Sequence, residues 1–119
     1  MSTKRNRRKQ GAWGESHAEQ VLRRAGYQIV ARNWRCPEGE IDLIAQHDGD
    51  LVFIEVRGCA AGIEAAAESI SARKLMRLRS AANAYLHDAN CGDVPCRFDL
   101  AAIDYRSGAV EIVRDAFSW

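Results

Sequence analysis

The stretch "GEIDLIAQHDGDLVFIEVR", residues 39–57, holds Asp48-Gly49 between alternating apolar residues, the strongest short-range signal for a β-hairpin. With Asp48-Gly49 as a two-residue turn, cross-strand partners carry numbers that sum to 97, which sets Asp42 opposite Glu55. A four-residue loop, His47 to Asp50, keeps the same pairing.

Strand alternation then divides the hairpin into two faces. Ile41, Leu43, Ala45, Val52, Ile54 and Val56 share the face expected to be buried. Glu40, Asp42, Ile44, Phe53, Glu55 and Arg57 share the other, with Glu40 opposite Arg57. Like charges directly opposite each other destabilise a sheet by roughly 0.2–1 kcal/mol, so the Asp42/Glu55 pair calls for a cation. A divalent metal with hard oxygen ligands, a nearby Lys or Arg, or both would serve. The plainer alternative is a solvated face on which the carboxylates sit apart and Glu40 and Arg57 form an ordinary ion pair.

Outward from the hairpin, residues 10–25 place Trp13, Ala18, Val21, Leu22 and Ala25 near helical spacing, and Gly26 supplies a stop. Residues 27–34, "YQIVARNW", read as a strand leading into the loop "RCPEG". Residues 58–68 are small and Gly-containing, a flexible connection with room for a short helical turn. Ser69 or Ser71 then caps a helix reaching about His87, with Leu75, Leu78, Ala82, Tyr85 and Leu86 on its buried side. Residues 96–105 form a strand, "RSG" a turn, and "AVEIVRDAF" the returning strand. The order α-β-β-β-α-β-β predicts a single α/β domain, a mixed five-stranded sheet flanked by helices.

A chain of 119 residues is the size of one domain. No apolar run approaches the roughly 18–20 residues of a membrane span, and the basic N-terminus lacks a following apolar region, so a cytoplasmic protein without a membrane partner is expected. Net charge is +1, but Lys4, Arg5, Arg7, Arg8 and Lys9 carry five of the 17 basic residues, leaving 12 against 16 acidic ones. Residues 1–9 are therefore read as a flexible basic arm suited to nucleic-acid phosphates, and residues 10–119 as the folded domain. Cys36, Cys59, Cys91 and Cys96 are expected to be free thiols. The Cys91-x4-Cys96 spacing gives only weak support to a zinc site, so zinc is not the expected cofactor. His17, His47 and His87 show no ligand spacing.

An Asp on one strand followed by Glu-x-Arg on the next suits phosphodiester cleavage, in which carboxylates hold Mg²⁺ and a cation offsets developing charge. "GAWGESHAEQVLRRAGYQIVARNWRCPEGEIDLIAQHDGDLVFIEVR", "RKLMRLRSAANAYL" and "RFDLAAI" resemble the YraN-like family of uncharacterised bacterial proteins over nearly all of the chain after the arm. That family resembles the PD-(D/E)xK restriction-endonuclease-like nucleases, especially Holliday-junction resolvases. The resemblance implies a restriction-endonuclease-like fold, Mg²⁺ or Mn²⁺ as cofactor, and Glu15, Asp42 and Glu55 as metal ligands. Structured or branched nucleic acid, DNA first, is the implied partner. A homodimer is implied as well, because resolvase substrates are two-fold symmetric. An edge strand or an apolar patch near Phe117 and Trp119 is a candidate for that interface, although those aromatics are equally suited to packing on their own core.

The pattern departs from the superfamily at Arg57, where Glu-x-Lys would place a lysine. A guanidinium stays charged at working pH, so Arg57 can stabilise charge or contact the scissile phosphate but cannot act as a base. Lys74 is a candidate substitute if its helix packs beside the polar face, its plainer reading being one of several solvated basic residues. Arg97 and Asp99 read as a structural ion pair or a groove contact. Two functions follow: a Mg-dependent nuclease using Glu15, Asp42, Glu55, Arg57 and Lys74, or a non-catalytic nucleic-acid-binding or adaptor module that has lost the lysine. A zinc or thiol regulator ranks behind both.

Overall fold

The structure, a computed structural model, describes residues 3–59 and 62–119, and their side chains except those of residues 3–11 and 63. Helix α1 (Thr3–Arg24) is followed by β1 (Gln28–Cys36), β2 (Gly39–His47) and β3 (Asp50–Cys59). Then come α2 (Ile63–Glu68), α3 (Ala72–Asp88), β4 (Cys96–Asp104) and β5 (Val110–Phe117). The five strands form one mixed sheet in chain order. Only the β3/β4 pair is parallel, bridged by the α2–α3 crossover; the other neighbours are antiparallel. The predicted α/β architecture and element order hold, with α2 occupying the short connection where a helical turn was expected.

The hairpin register follows from its turn. Asp48 and Gly49 both lie at positive φ, 51° and 83°, the backbone of a two-residue hairpin turn whose twist matches that of the strands. Pairing runs from His47↔Asp50 to Leu43↔Ile54, with every pair on the predicted sum of 97.

Both faces of the hairpin are buried. Ala18 and Leu22 of α1 pack with Leu43, Ala45, Val52, Ile54, Ala101 and Ile103 on one side. Leu78, Ala81 and Ala82 of α3 cover Ile44, Leu51, Phe53 and Phe98 on the other, while α2 and Ile70 close the crossover against Leu100 and Ala102. Ile41, expected with Leu43 and Ala45, packs instead on the α3 side. Alternation breaks because Asn33 of β1 takes positive φ, 49°, across from Asp42, between the pairs Arg32↔Leu43 and Trp34↔Ile41. Trp34 turns to the α3 side with Ile41.

Some element boundaries differ from the sequence reading. Strand β1 continues through Cys36, which shortens the following loop to a turn. Helix α1 begins at Thr3 instead of Gln10. The charged run before Gly11 contains no Gly or Pro to stop a helix. The side chains of the basic arm lie outside the described residues. Trp13, one of the apolar positions near helical spacing, is 47% exposed.

The turn end of the hairpin is locked by a buried polar network. Arg97, on β4, donates from Nε to Asp99 Oδ1 at 3.0 Å and from Nη1 to Asp50 Oδ2 at 2.9 Å. Its Nη2 lies 2.6 Å from His47 Nδ1; since a guanidinium only donates, Nδ1 accepts and the imidazole proton sits on Nε2. Asp99 is fully buried, accepting from Tyr27 Oη at 2.7 Å and from the Asp115 N–H at 2.9 Å. Burial and the Asp99 acceptor push the Tyr27 hydroxyl up to about 12, so it remains a donor. Arg97 and Asp99 are thus the expected structural ion pair, and His47, without a role in the sequence reading, belongs to it. Asp99→Ala would leave the buried Arg97 Nε–H, the Tyr27 hydroxyl and the Asp115 N–H without their acceptor. We expect a loss of about 3–5 kcal/mol in denaturant unfolding.

Candidate functional site

The carboxylate site lies at the end of the hairpin away from the turn. The β2/β3 ladder ends at Leu43↔Ile54, one pair short of Asp42 and Glu55. In its place the Val56 N–H donates to Asp42 Oδ2 at 2.8 Å, so a side chain takes over the bond where the strands part. Asp42 is partly buried, and Glu55 is only 3% exposed.

Helix α3 supplies the cation. Ser71 caps it by accepting the Lys74 N–H at 3.1 Å, which fixes the first turn beside the hairpin. Lys74 Nζ then stands 3.8 Å from Glu55 Oε1. The helix can approach because position 39 is glycine; a Cβ there would lie 2.7 Å from the Arg77 carbonyl oxygen. Lys74, read more plainly from sequence as a solvated residue, is therefore at the site. A cleft of about 190 Å³ opens beside it, with Arg35, Glu40 and Arg77 among its walls.

The other candidates are distributed unevenly. Glu15 of α1 lines a separate cleft with Asn33 and Leu43, near enough for its charge to act on Asp42. It does not complete a ligand cluster: among the described residues, no three His, Cys, Asp or Glu side chains stand together closely enough to hold a metal by themselves. Arg57 turns toward α2, donating from Nε to Ser69 Oγ and from Nη2 to the Ser69 carbonyl, both at 3.1 Å. The Glu40–Arg57 pair expected across the hairpin is replaced by Glu40 with Arg35 at 3.2 Å, because the ladder does not extend that far. Cys36, Cys91 and Cys96 border the α3-side core and Cys59 the α2 side; all four are free thiols.

Burial dominates the electrostatics. It raises Asp42 to about 6, opposed by the Val56 N–H and Lys74 and reinforced by the charges of Glu15 and Glu40. Burial also raises Glu55 to about 7, with the Asp42 charge adding to the rise and Lys74 and Arg57 opposing it. Glu55 Oε2 is buried and has no hydrogen-bond partner. Such an oxygen costs on the order of 1–3 kcal/mol, more when charged. Two hard carboxylates, one with an unsatisfied oxygen, fit a divalent cation that takes its remaining ligands from water or substrate.

A family model described as "Uncharacterised protein family UPF0102" matches residues 14–103. The UPF0102 protein of Roseiflexus castenholzii is 48% identical over 107 residues, covering 86% of this chain and 84% of that protein. The UPF0102 protein of Hahella chejuensis is 46% identical over 110 residues, covering 91% and 89%. That of Moorella thermoacetica is 40% identical over 116 residues, covering 93% and 97%.

Because Asp42 and Glu55 have higher pKa values folded than unfolded, their protonated forms are favoured by folding. Their contribution is most favourable below about pH 4 and is lost as pH rises through about 7. In metal-free buffer, Glu55→Gln should match wild type near pH 5 and exceed it by roughly 1–3 kcal/mol near pH 8, measured by chemical denaturation. Equal pH profiles would contradict the burial of a charge at this position.

Proposed function

The chain belongs to the uncharacterised protein family UPF0102, and from the site it carries we propose a metal-dependent nuclease of the restriction-endonuclease-like kind, acting on structured or branched DNA. The observation that carries this reading is the buried, unpartnered Glu55 Oε2 beside a second carboxylate whose own burial disfavours its charge. A polypeptide that isolates an oxygen in this way gains from a cation that only the folded site can coordinate.

Asp42 and Glu55 would hold Mg²⁺ or Mn²⁺, and Glu15 would act from α1 on the same charge balance. When bound, the ion supplies Lewis acidity at a phosphate oxygen and lowers the pKa of attacking water. Lys74 presents an ammonium beside Glu55, able to orient that water or a phosphate oxygen through its three donors. Arg77 and Arg35, walling the cleft next to Lys74, would receive neighbouring phosphates. A basic arm on the backbone and a cytoplasmic setting, expected from composition, and a homodimer, implied by the resemblance, belong to the same proposal. No helix among the described residues is long and apolar enough to cross a membrane.

One observation favours the non-catalytic alternative: Arg57, at the place of the superfamily lysine, is engaged with Ser69. The two readings separate in a cleavage assay on labelled duplex, single-stranded and four-way-junction DNA with Mg²⁺ or Mn²⁺. Wild type should cleave at least one substrate. Asp42→Asn, Glu55→Gln and Lys74→Gln should each reduce the rate by about 10²–10³-fold, the scale of losing one group that stabilises the transition state. If neither wild type nor Arg57→Lys cleaves, while salt-sensitive DNA binding persists, the chain is a binding module and the nuclease reading is wrong.

A further inference from the structure

Trp13 is not placed like a residue that merely failed to be buried. Its indole stacks on the His17 imidazole with centroids 4.9 Å apart and planes 18° apart, and it meets the Tyr105 ring at 5.9 Å. Each of these partners is held. His17 Nε2 lies 2.6 Å from the Gly108 carbonyl oxygen, so the ring is tied to the β4–β5 turn. Tyr105 lies across β3 where the strand lacks a side chain: a Cβ at Gly58 would stand 2.1 Å from Tyr105 Cε2. Its hydroxyl reaches α1, where a Cβ at Gly14 would stand 2.9 Å away. The chain therefore uses three elements and two close backbone approaches to hold an aromatic surface that stays open to solvent, with Trp13 47% and Tyr105 37% exposed.

The location connects this surface to the carboxylates. Gly14 adjoins Glu15, which is near enough to both Tyr105 and Asp42 for its charge to act on each, and Gly58 lies three residues beyond Glu55, roughly 10 Å along β3 and facing the α1 side. Arg106, exposed and next to Tyr105 in the chain, offers positive charge beside it. Flat, rigid rings open to solvent, with a basic residue next to them in the chain, match an unstacked nucleobase and its phosphate. Every base has a π-face to offer such a surface, whereas a paired duplex keeps its bases stacked on each other.

We propose that Trp13, with Tyr105 beside it, is a stacking platform for an unpaired base of the nucleic acid entering the Asp42/Glu55 site. The substrate class is then DNA with a single-stranded portion next to the scissile phosphate. The proposal rests on reading the carboxylate pair as a phosphodiester site and specifies which strand geometry that site accepts.

The test is fluorescence anisotropy in EDTA at fixed ionic strength, where cleavage plays no part, with a labelled oligothymidylate and a labelled blunt duplex. Trp13→Ala should weaken oligothymidylate binding by about tenfold and duplex binding by less than about twofold, and Trp13→Phe, which keeps a ring, should restore most of the loss. Thermal melting of both variants separates a binding effect from unfolding. Unchanged oligothymidylate affinity in Trp13→Ala, an equal loss on both ligands, or a wild type that does not bind oligothymidylate would each overturn the platform. Cleavage by wild type that Asp42→Asn abolishes would still support the site itself, so the two failures are distinguishable.

Discussion

Two adjacent residues at positive φ, Asp48 and Gly49, hold β2 and β3 in a single register, and a slip by one residue would exchange the two buried faces of the hairpin. That register carries Asp42 and Glu55 to the far end, one pair beyond Leu43↔Ile54. There the ladder stops, and the Asp42 carboxylate accepts the Val56 N–H that the departing strand no longer satisfies. The bond holds one carboxylate in place while Glu55 is drawn into a setting where its second oxygen finds no donor. Position and strain at the site thus have a common origin in the turn.

The rest of the fold makes the arrangement rigid from both ends. At the turn, Arg97 and Asp99 bind Tyr27, His47, Asp50 and the Asp115 backbone into one buried network. Polar groups satisfied this fully fix orientation, because each alternative geometry leaves a buried donor without an acceptor. At the open end, α1 and α3 clamp opposite faces of the sheet, so Glu15 and Lys74 approach the carboxylates from different layers. The carboxylates are thereby removed from water without being removed from cations.

Local chemistry was the legible part of the sequence. Asp48-Gly49 announced both the turn and the pairing, and the spacing of Leu78 and Ala82 announced the buried face of α3. What depended on three-dimensional approach was less legible. Lys74 looks like any of its basic neighbours until Gly39 lets its helix down onto the hairpin. Ile41 was assigned to the wrong face because strict alternation cannot anticipate the irregular backbone at Asn33. Trp13 obeyed helical periodicity yet faces solvent, since its partners, His17 and Tyr105, are themselves fixed by the distant β4–β5 turn.

The central claim is that Asp42 and Glu55 form one cation site. Its most direct measurement is calorimetric titration of Mn²⁺ into wild type and Asp42→Asn near pH 8, the substituted amide retaining an acceptor for the Val56 N–H. The account predicts one Mn²⁺ site per chain in wild type and loss of binding by at least about tenfold in the variant. Equal binding by the two proteins, or no binding by wild type, would contradict it.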